Sequence, residues 1–179
     1  MKLGVMCSGN GSNFENIVRS CREDEVVLMV YNKEGCGAYK RAAKLGIPSC
    51  CIKSKDEDKI IREFKWAGVE LVVLAGWMKI VTKNLIEAFP DRIINIHPSL
   101  LPKHKGLDVV KRAMDAGDIV TGCTVHYVTE ELDSGSIICQ AEVPILPDDT
   151  VESLTRAIQR QEYTILPEAI KHVKHKIQT

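Results

Sequence analysis

Residues 69–75 read Val-Glu-Leu-Val-Val-Leu-Ala, nearly all apolar. A strand with one face in water alternates apolar and polar side chains, whereas a strand covered on both faces stays apolar throughout. This run therefore reads as a central strand of a parallel sheet. Working outward, shorter apolar runs at 3–7, 26–30, 49–52 and 92–96 are separated by helical patterns at 12–21, 38–43, 56–66 and 83–88. Ser12 or Asn13 is expected to cap the first helix. Gly46 ends the second, and Ile60, Ile61 and Phe64 give the third an apolar face. Strands alternating with helices are repeated βαβ units. The fold class is thus α/β, with an open, doubly wound, mostly parallel sheet of Rossmann-like type. A further helix at 108–116 stops at Gly117. Beyond it, two long runs, 120–128 and 136–145, flank a turn at Glu131-Leu132-Asp133-Ser134-Gly135 and predict a C-terminal β extension. A final amphipathic helix is expected from 150 to 165, interrupted at Pro167 and resuming afterwards. Without repeats or linkers, residues 1–179 read as a single domain, with a βαβ half at 1–100 and a second half at 101–179.

Composition narrows the function classes. Of 179 residues, 45% are apolar and 27% charged, and 24 basic side chains balance 24 acidic ones. No global basic field draws the chain to nucleic acid or an anionic membrane. The seven cysteines (Cys7, Cys21, Cys36, Cys50, Cys51, Cys123 and Cys139) are odd in number and form no C-x-x-C pair. They fit neither a disulfide framework nor a structural zinc site. The N-terminal apolar stretch is too short for a signal peptide, and no window reaches the ~18 apolar residues of a membrane span. The expectation is a reduced, soluble, cytoplasmic protein with no metal, either a monomer or a weak homodimer.

Two stretches carry chemistry. Ser8-Gly9-Asn10-Gly11-Ser12-Asn13 joins the first strand to the first helix. Its glycines allow a sharp turn and close approach, and the helix N–H groups behind it favour an anion. The third glycine of a dinucleotide fingerprint and the Gly-Lys-Ser/Thr of a P-loop are both missing. A monophosphate cradle and a plain capped turn both remain open. The second stretch, Ile93-Ile94-Asn95-Ile96-His97-Pro98-Ser99-Leu100-Leu101-Pro102, puts Asn95 and His97 two residues apart on one strand face. It lies at the carboxyl end of a strand, where open α/β sheets bind ligands. An amide and an imidazole converging on one oxygen suit an oxyanion. Asp133 is the carboxylate available to orient the imidazole. The same spacing also fits a structural hydrogen-bonded pair. His126 reads as a core or edge residue, and His172 and His175 as part of a solvated face. His104, between Lys103 and Lys105, fits either an anion contact or a surface loop.

Taken together the chain resembles the folate-dependent phosphoribosylglycinamide formyltransferases over essentially its whole length. The matching strings are SGNGSN (8–13), VVLAGWM (72–78), INIHPSLLPKHKG (94–106), GCTVHYVTEELDSG (122–135) and QRQEYTILP (159–167). The resemblance implies transfer of the formyl group of 10-formyltetrahydrofolate to the amine of glycinamide ribonucleotide, in purine biosynthesis. Asn95, His97 and Asp133 match the catalytic trio. Gly11, Ser12 and Asn13 match the phosphate cradle, with Gln159 and Glu162 on the same substrate. Met78, Lys79, Ile80 and Val81, with Asn95 and the loop Thr129, Glu130, Glu131, Leu132 and Asp133, match the folate-holding segments. Both partners are small molecules, with no metal. Methionyl-tRNA formyltransferase and formyltetrahydrofolate hydrolase share the Asn-x-His segment, but are expected to carry an additional domain. Lys79 stands where the family often has arginine, and a second folate-side arginine before the VVLAG strand has no clear match, with Lys53 or Lys55 as candidates for its place. Lysine lacks the planar fork of arginine, so the departure bears on affinity for the folate tail. The C-terminus is also shorter than in some relatives. Outside this reading stand a formylfolate hydrolase, a non-catalytic folate or sugar-phosphate sensor, and a nicotinamide oxidoreductase using Glu34 as its ribose-binding acid.

Overall fold

A computed structural model describes residues 1–179. The chain divides into two compact units, Met1–Asn95 and Ile96–Thr179. Its sheet has seven strands in the order β3-β2-β1-β4-β5-β6-β7. The strands are β1 (Lys2–Cys7), β2 (Glu25–Tyr31), β3 (Ser49–Cys51), β4 (Leu71–Leu74), β5 (Ile93–His97), β6 (Val120–Tyr127) and β7 (Ile137–Pro144). The helices are α1 (Ser12–Ser20), α2 (Gly37–Leu45), α3 (Glu57–Trp66), α4 (Lys83–Ala88), α5 (Val109–Asp115) and α6 (Val151–Gln178).

In the first unit all strand pairs are parallel. β4 lies against β1 with Leu3 beside Leu71 and Met6 beside Leu74, and β5 follows on its other side. Leu71, Val72 and Val73 are completely buried, which is why residues 69–75 carry almost no polar side chain. The strand order reverses between β1 and β4. At such a point the connections after the two strands leave on opposite faces and open a crevice at the carboxyl ends. The segments that follow β1 and β4 are tied together there. Ser8 N–H donates to the Gly76 carbonyl at 2.9 Å, and Met78 N–H donates to Ser8 Oγ at 2.9 Å.

The first helix begins differently from the expectation. Gly11 holds the N-cap position in a left-handed conformation (φ 75°), and neither Ser12 nor Asn13 serves as the cap. Only glycine fits, because a Cβ there would lie 2.6 Å from Ala38 Cα, besides the cost of positive φ. Asp56 caps α3 through Lys59 N–H, and Gly46 ends α2 in the left-handed region, as the sequence implies. A further cap crosses between helices. The buried Glu57 carboxylate accepts from Thr82 N–H (2.9 Å), Thr82 Oγ1–H (2.6 Å) and Leu85 N–H (3.3 Å). It thereby satisfies the first turn of α4 and fixes the far end of segment 76–82.

In the second unit β6 and β7 form an antiparallel pair, Val120 beside Pro144 through His126 beside Ile137. Helix α6 packs on both strands and on α5. Thr150 and Ser153 form a reciprocal cap at its start. The expected interruption at Pro167 does not occur, and the helix is continuous for 28 residues. Proline removes one backbone bond at a cost of about 3 kcal/mol. Leu154, Ile158, Ile165, Leu166, Ala169, Ile170 and Val173 are buried on both sides of it, and burial of each is worth roughly 1–3 kcal/mol. The packed face outweighs the lost bond. No helix is long and apolar enough to cross a membrane.

Glu57→Ala strands two amide donors and a hydroxyl inside the first unit, and is expected to cost about 1–3 kcal/mol. Urea unfolding should show a lower midpoint with an unchanged slope, Glu57→Gln falling between the two. An unshifted midpoint for the alanine variant would mean that water replaces the carboxylate.

Candidate active site

The loop after β1 is a shaped backbone surface. Gly9 and Asn10 are exposed at its tip, while Ser8 and Gly11 are buried at its ends. Helix α2 grips it from one side. Ala38 N–H donates to the Gly9 carbonyl at 3.0 Å, and Arg41 Nε donates to the Asn10 carbonyl at 2.8 Å. Arg41 also binds Asn10 Oδ1 at 3.3 Å and pairs with Glu15 in the first turn of α1. Hydrogen bonds from Arg19 and Arg41 hold the Glu15 carboxyl below its ordinary pKa. Its negative charge at the helix N-terminus is thus already partnered. The first-turn amides of α1, behind the Gly9–Gly11 turn, are groups of the kind that suit a small anion.

At the other chemical centre, β5 ends in Asn95 and His97, which alternate onto one face. His97 is buried at 5% exposure. Its Nε2 lies 2.9 Å from the His104 carbonyl, which can only accept, so Nε2 carries a proton. Its Nδ1 faces Asp133 Oδ2 at 3.6 Å. That separation is longer than a hydrogen bond and brings the two groups together as ion-pair partners when the imidazole is charged. Asp133 is itself 7% exposed and accepts from Gly106 N–H at 2.9 Å. From residue types the sequence offers Asp133 only as an available carboxylate, and the fold brings it to His97 across 36 residues of chain (133 minus 97).

His126, read from the sequence as core or edge, is indeed buried on β6 but also faces Asp133, with Nε2 3.7 Å from Oδ1. Its Nδ1 donates to the Tyr127 carbonyl at 2.9 Å. Burial lowers its pKa, opposed by that carbonyl and by Asp133. Its signal in the sequence was only a histidine in an otherwise apolar strand. The Asp133 carboxylate thus lies between two imidazoles, one on each oxygen. Asp133 adopts φ 50°, an uncommon left-handed conformation for a side-chain-bearing residue. Two residues on, a Cβ at Gly135 would lie 1.7 Å from the Tyr127 carbonyl, so the chain can double back there only at glycine.

The remaining sequence-derived positions are distributed as follows. Met78, Lys79 and Ile80 are exposed on the segment anchored by Ser8 and Glu57, and Val81 is buried. Thr129, Glu130, Glu131 and Leu132 are exposed on the loop leading to Asp133, where Thr129 Oγ1 donates to the Glu131 carbonyl at 3.2 Å. Gln159 is half-buried on α6 and the Glu162 carboxylate is buried, close enough to Cys123 to help burial push that thiol up to about 12. His172 and His175 are exposed. No three His, Cys, Asp or Glu side chains converge on a point that could hold a metal ion.

A neutral buried His126 has a consequence for stability. The unfolded chain takes up this proton near pH ~6.5, the folded chain only at lower pH, so stability falls as pH drops below ~6.5. Urea unfolding at pH 7, 6 and 5 should show that loss, and His126→Gln should flatten it. Carboxylates held low by their partners, such as Glu15, contribute only below about pH 4.5. Equal slopes in the two proteins would contradict a neutral His126.

The formyl transferase family profile matches residues 1–170. The chain is 39% identical to a phosphoribosylglycinamide formyltransferase of Haemophilus influenzae, covering 95% of this chain and 85% of that one. It is 43% identical to a trifunctional purine biosynthetic protein adenosine-3 of Drosophila pseudoobscura pseudoobscura, over 94% of this chain. It spans only 13% of the length of that larger relative. Among solved structures, a phosphoribosylglycinamide formyltransferase from Anaplasma phagocytophilum superposes with a TM-score of 0.95 at 38% identity, over 98% of this chain and 88% of that one. The chain belongs to the formyl transferase family.

Proposed function

We propose that the chain transfers the formyl group of 10-formyltetrahydrofolate to the amine of glycinamide ribonucleotide, giving formylglycinamide ribonucleotide and tetrahydrofolate. The observation that carries this reading is the buried His97–Asp133 pair at the end of β5, with Nδ1 3.6 Å from Oδ2. A protonated imidazole that donates through Nδ1, beside the Asn95 amide, is suited to an oxygen that gains charge during the reaction. The relatives named phosphoribosylglycinamide formyltransferase support formyl transfer to that amine.

In this mechanism the neutral amine attacks the formyl carbon, and a C–N bond forms as the C=O electron pair moves onto oxygen. Asn95 and His97 stabilise that oxygen. Asp133 keeps His97 oriented and receives the proton released from the new ammonium, with His126 Nε2 on its other oxygen as a neutral acceptor. The tetrahedral adduct collapses, the bond from carbon to the folate nitrogen breaks, and that nitrogen takes the proton that Asp133 received, which returns the carboxylate to its starting form. Gly11, Ser12 and Asn13 hold the ribonucleotide phosphate at the start of α1, and Gln159 and Glu162 contact the same substrate. Met78–Val81 and Thr129–Asp133 hold the folate. Lys79 stands beside Met78 as a single-point charge for the folate's anionic part. No step calls for a metal.

The test is absorbance-monitored folate product formation with each substrate omitted in turn. Product is expected only with both, and product without the amine would assign a hydrolase instead. Asn95→Ala and His97→Ala should each lower kcat about 10²–10³-fold while altering the Michaelis constants much less. Near-wild-type turnover in both variants would remove these residues from the reaction.

A further inference from the structure

We infer that His104 and Asp118 form a positioning pair for His97, fixing the loop carbonyl to which the Nε2 edge of the His97 ring is bound. The inference rests on the transferase reading above and adds to it a linkage outside the catalytic trio. His97 Nε2 has one partner in this structure, the His104 carbonyl at 2.9 Å. The same carbonyl accepts from Ser99 Oγ at 3.1 Å. It is therefore a fixed point for both the ring and the start of the loop that follows β5.

The residue that supplies this carbonyl is held in an uncommon shape. His104 has φ 55°, a left-handed conformation disfavoured for any residue with a Cβ. Something must hold it there, and its own side chain does so. His104 Nε2 donates to Asp118 Oδ2 at 2.7 Å, both side chains being mostly buried. Asp118 is anchored between α5 and β6, its N–H bonded to the Ala113 carbonyl at 3.2 Å. Its other oxygen pairs with Lys103 Nζ at 3.3 Å. The hydrogen bond from His104, then that from Lys103, holds the Asp118 carboxyl below its ordinary pKa, consistent with a carboxylate that accepts throughout the neutral range.

The linkage runs from Asp118 through the His104 imidazole to the His104 carbonyl and so to His97 Nε2. With Nε2 committed to a backbone acceptor, the ring can turn only Nδ1 toward Asp133. The pair thus selects which nitrogen faces the reacting oxygen, as an outer partner orients a histidine ligand at a metal centre. It also closes the alternative left open for His104 by the sequence, since a side chain bound to a carboxylate makes a poor receptor for an anion.

Two single variants and their double test the linkage. His104→Gly keeps the carbonyl and takes φ 55° freely while removing the imidazole, and Asp118→Ala removes the partner. With the protein folded by circular dichroism at the assay temperature, kcat should fall on the order of tenfold in each. Both Michaelis constants should stay within about twofold, and the double variant should lose no more than the larger single, because one linkage is cut. Nitrogen NMR of the His97 ring should report Nε2–H in the wild type and a tautomer mixture in the variants. Wild-type kcat in both single variants, or lowered kcat with unmoved His97 signals, would overturn the pairing. If His104→Gly fails to fold, Asp118→Asn decides by the same readings. An inactive wild-type protein would sink the transferase reading, while the ring spectra would still decide the linkage.

Discussion

A carboxylate removed from water must find its charge matched by nearby donors, and much of the second unit is arranged around meeting that demand at Asp133. Gly106 donates its amide to Oδ2, where His97 Nδ1 also faces the carboxylate. His126 lies against Oδ1 as a neutral ring whose own proton goes to the Tyr127 carbonyl. The loops that deliver these groups are bolted to the β6–β7 pair. Thr124 Oγ1 donates to the Ser99 carbonyl at 2.7 Å, and Gln140 Nε2 reaches the Leu101 carbonyl at 2.8 Å. Lys105 Nζ closes onto Ser134 Oγ at 2.6 Å, joining the segment after β5 to the segment that carries Asp133. Left-handed backbone at His104, Gly106, Asp108 and Asp133 is the conformational cost of bringing so many groups to one point. Strain of this kind persists where surrounding bonds over-determine it.

The sheet was legible because its period is unambiguous. A run such as residues 69–75 has few readings other than a strand covered on both faces, and the helices between strands carry their own stop signals. Helix continuity at Pro167 was not legible, because the local rule concerns one backbone bond while the outcome depends on side chains buried on both flanks. The cap on α1 is illegible in the sequence for a related reason. Ser12 and Asn13 are good capping types, but Gly11 is dictated by Ala38, whose closeness appears only when α2 is in place.

The site divides in the same way. Asn95 and His97 share a strand face by arithmetic alone, and the family resemblance supplied Asp133 at the right distance along the chain. His126 and the His104–Asp118 pair left no pattern to read. A lone histidine in an apolar strand looks the same whether it fills space or faces a carboxylate. The value of a backbone carbonyl, such as that of His104, does not depend on residue type at all.

The Ser8 side chain and backbone hold both ends of one relationship. Its N–H binds Gly76, its hydroxyl accepts from Met78, and it is itself the first residue of the turn that reaches Gly11. The two segments on either side of the β1–β4 crevice therefore share a single hinge pin. In evolutionary terms they cannot drift independently. A lineage that re-shapes one segment to suit a new ligand must keep this serine, or re-tune the other segment in step. Change at this crevice should come as paired substitutions more readily than as single ones.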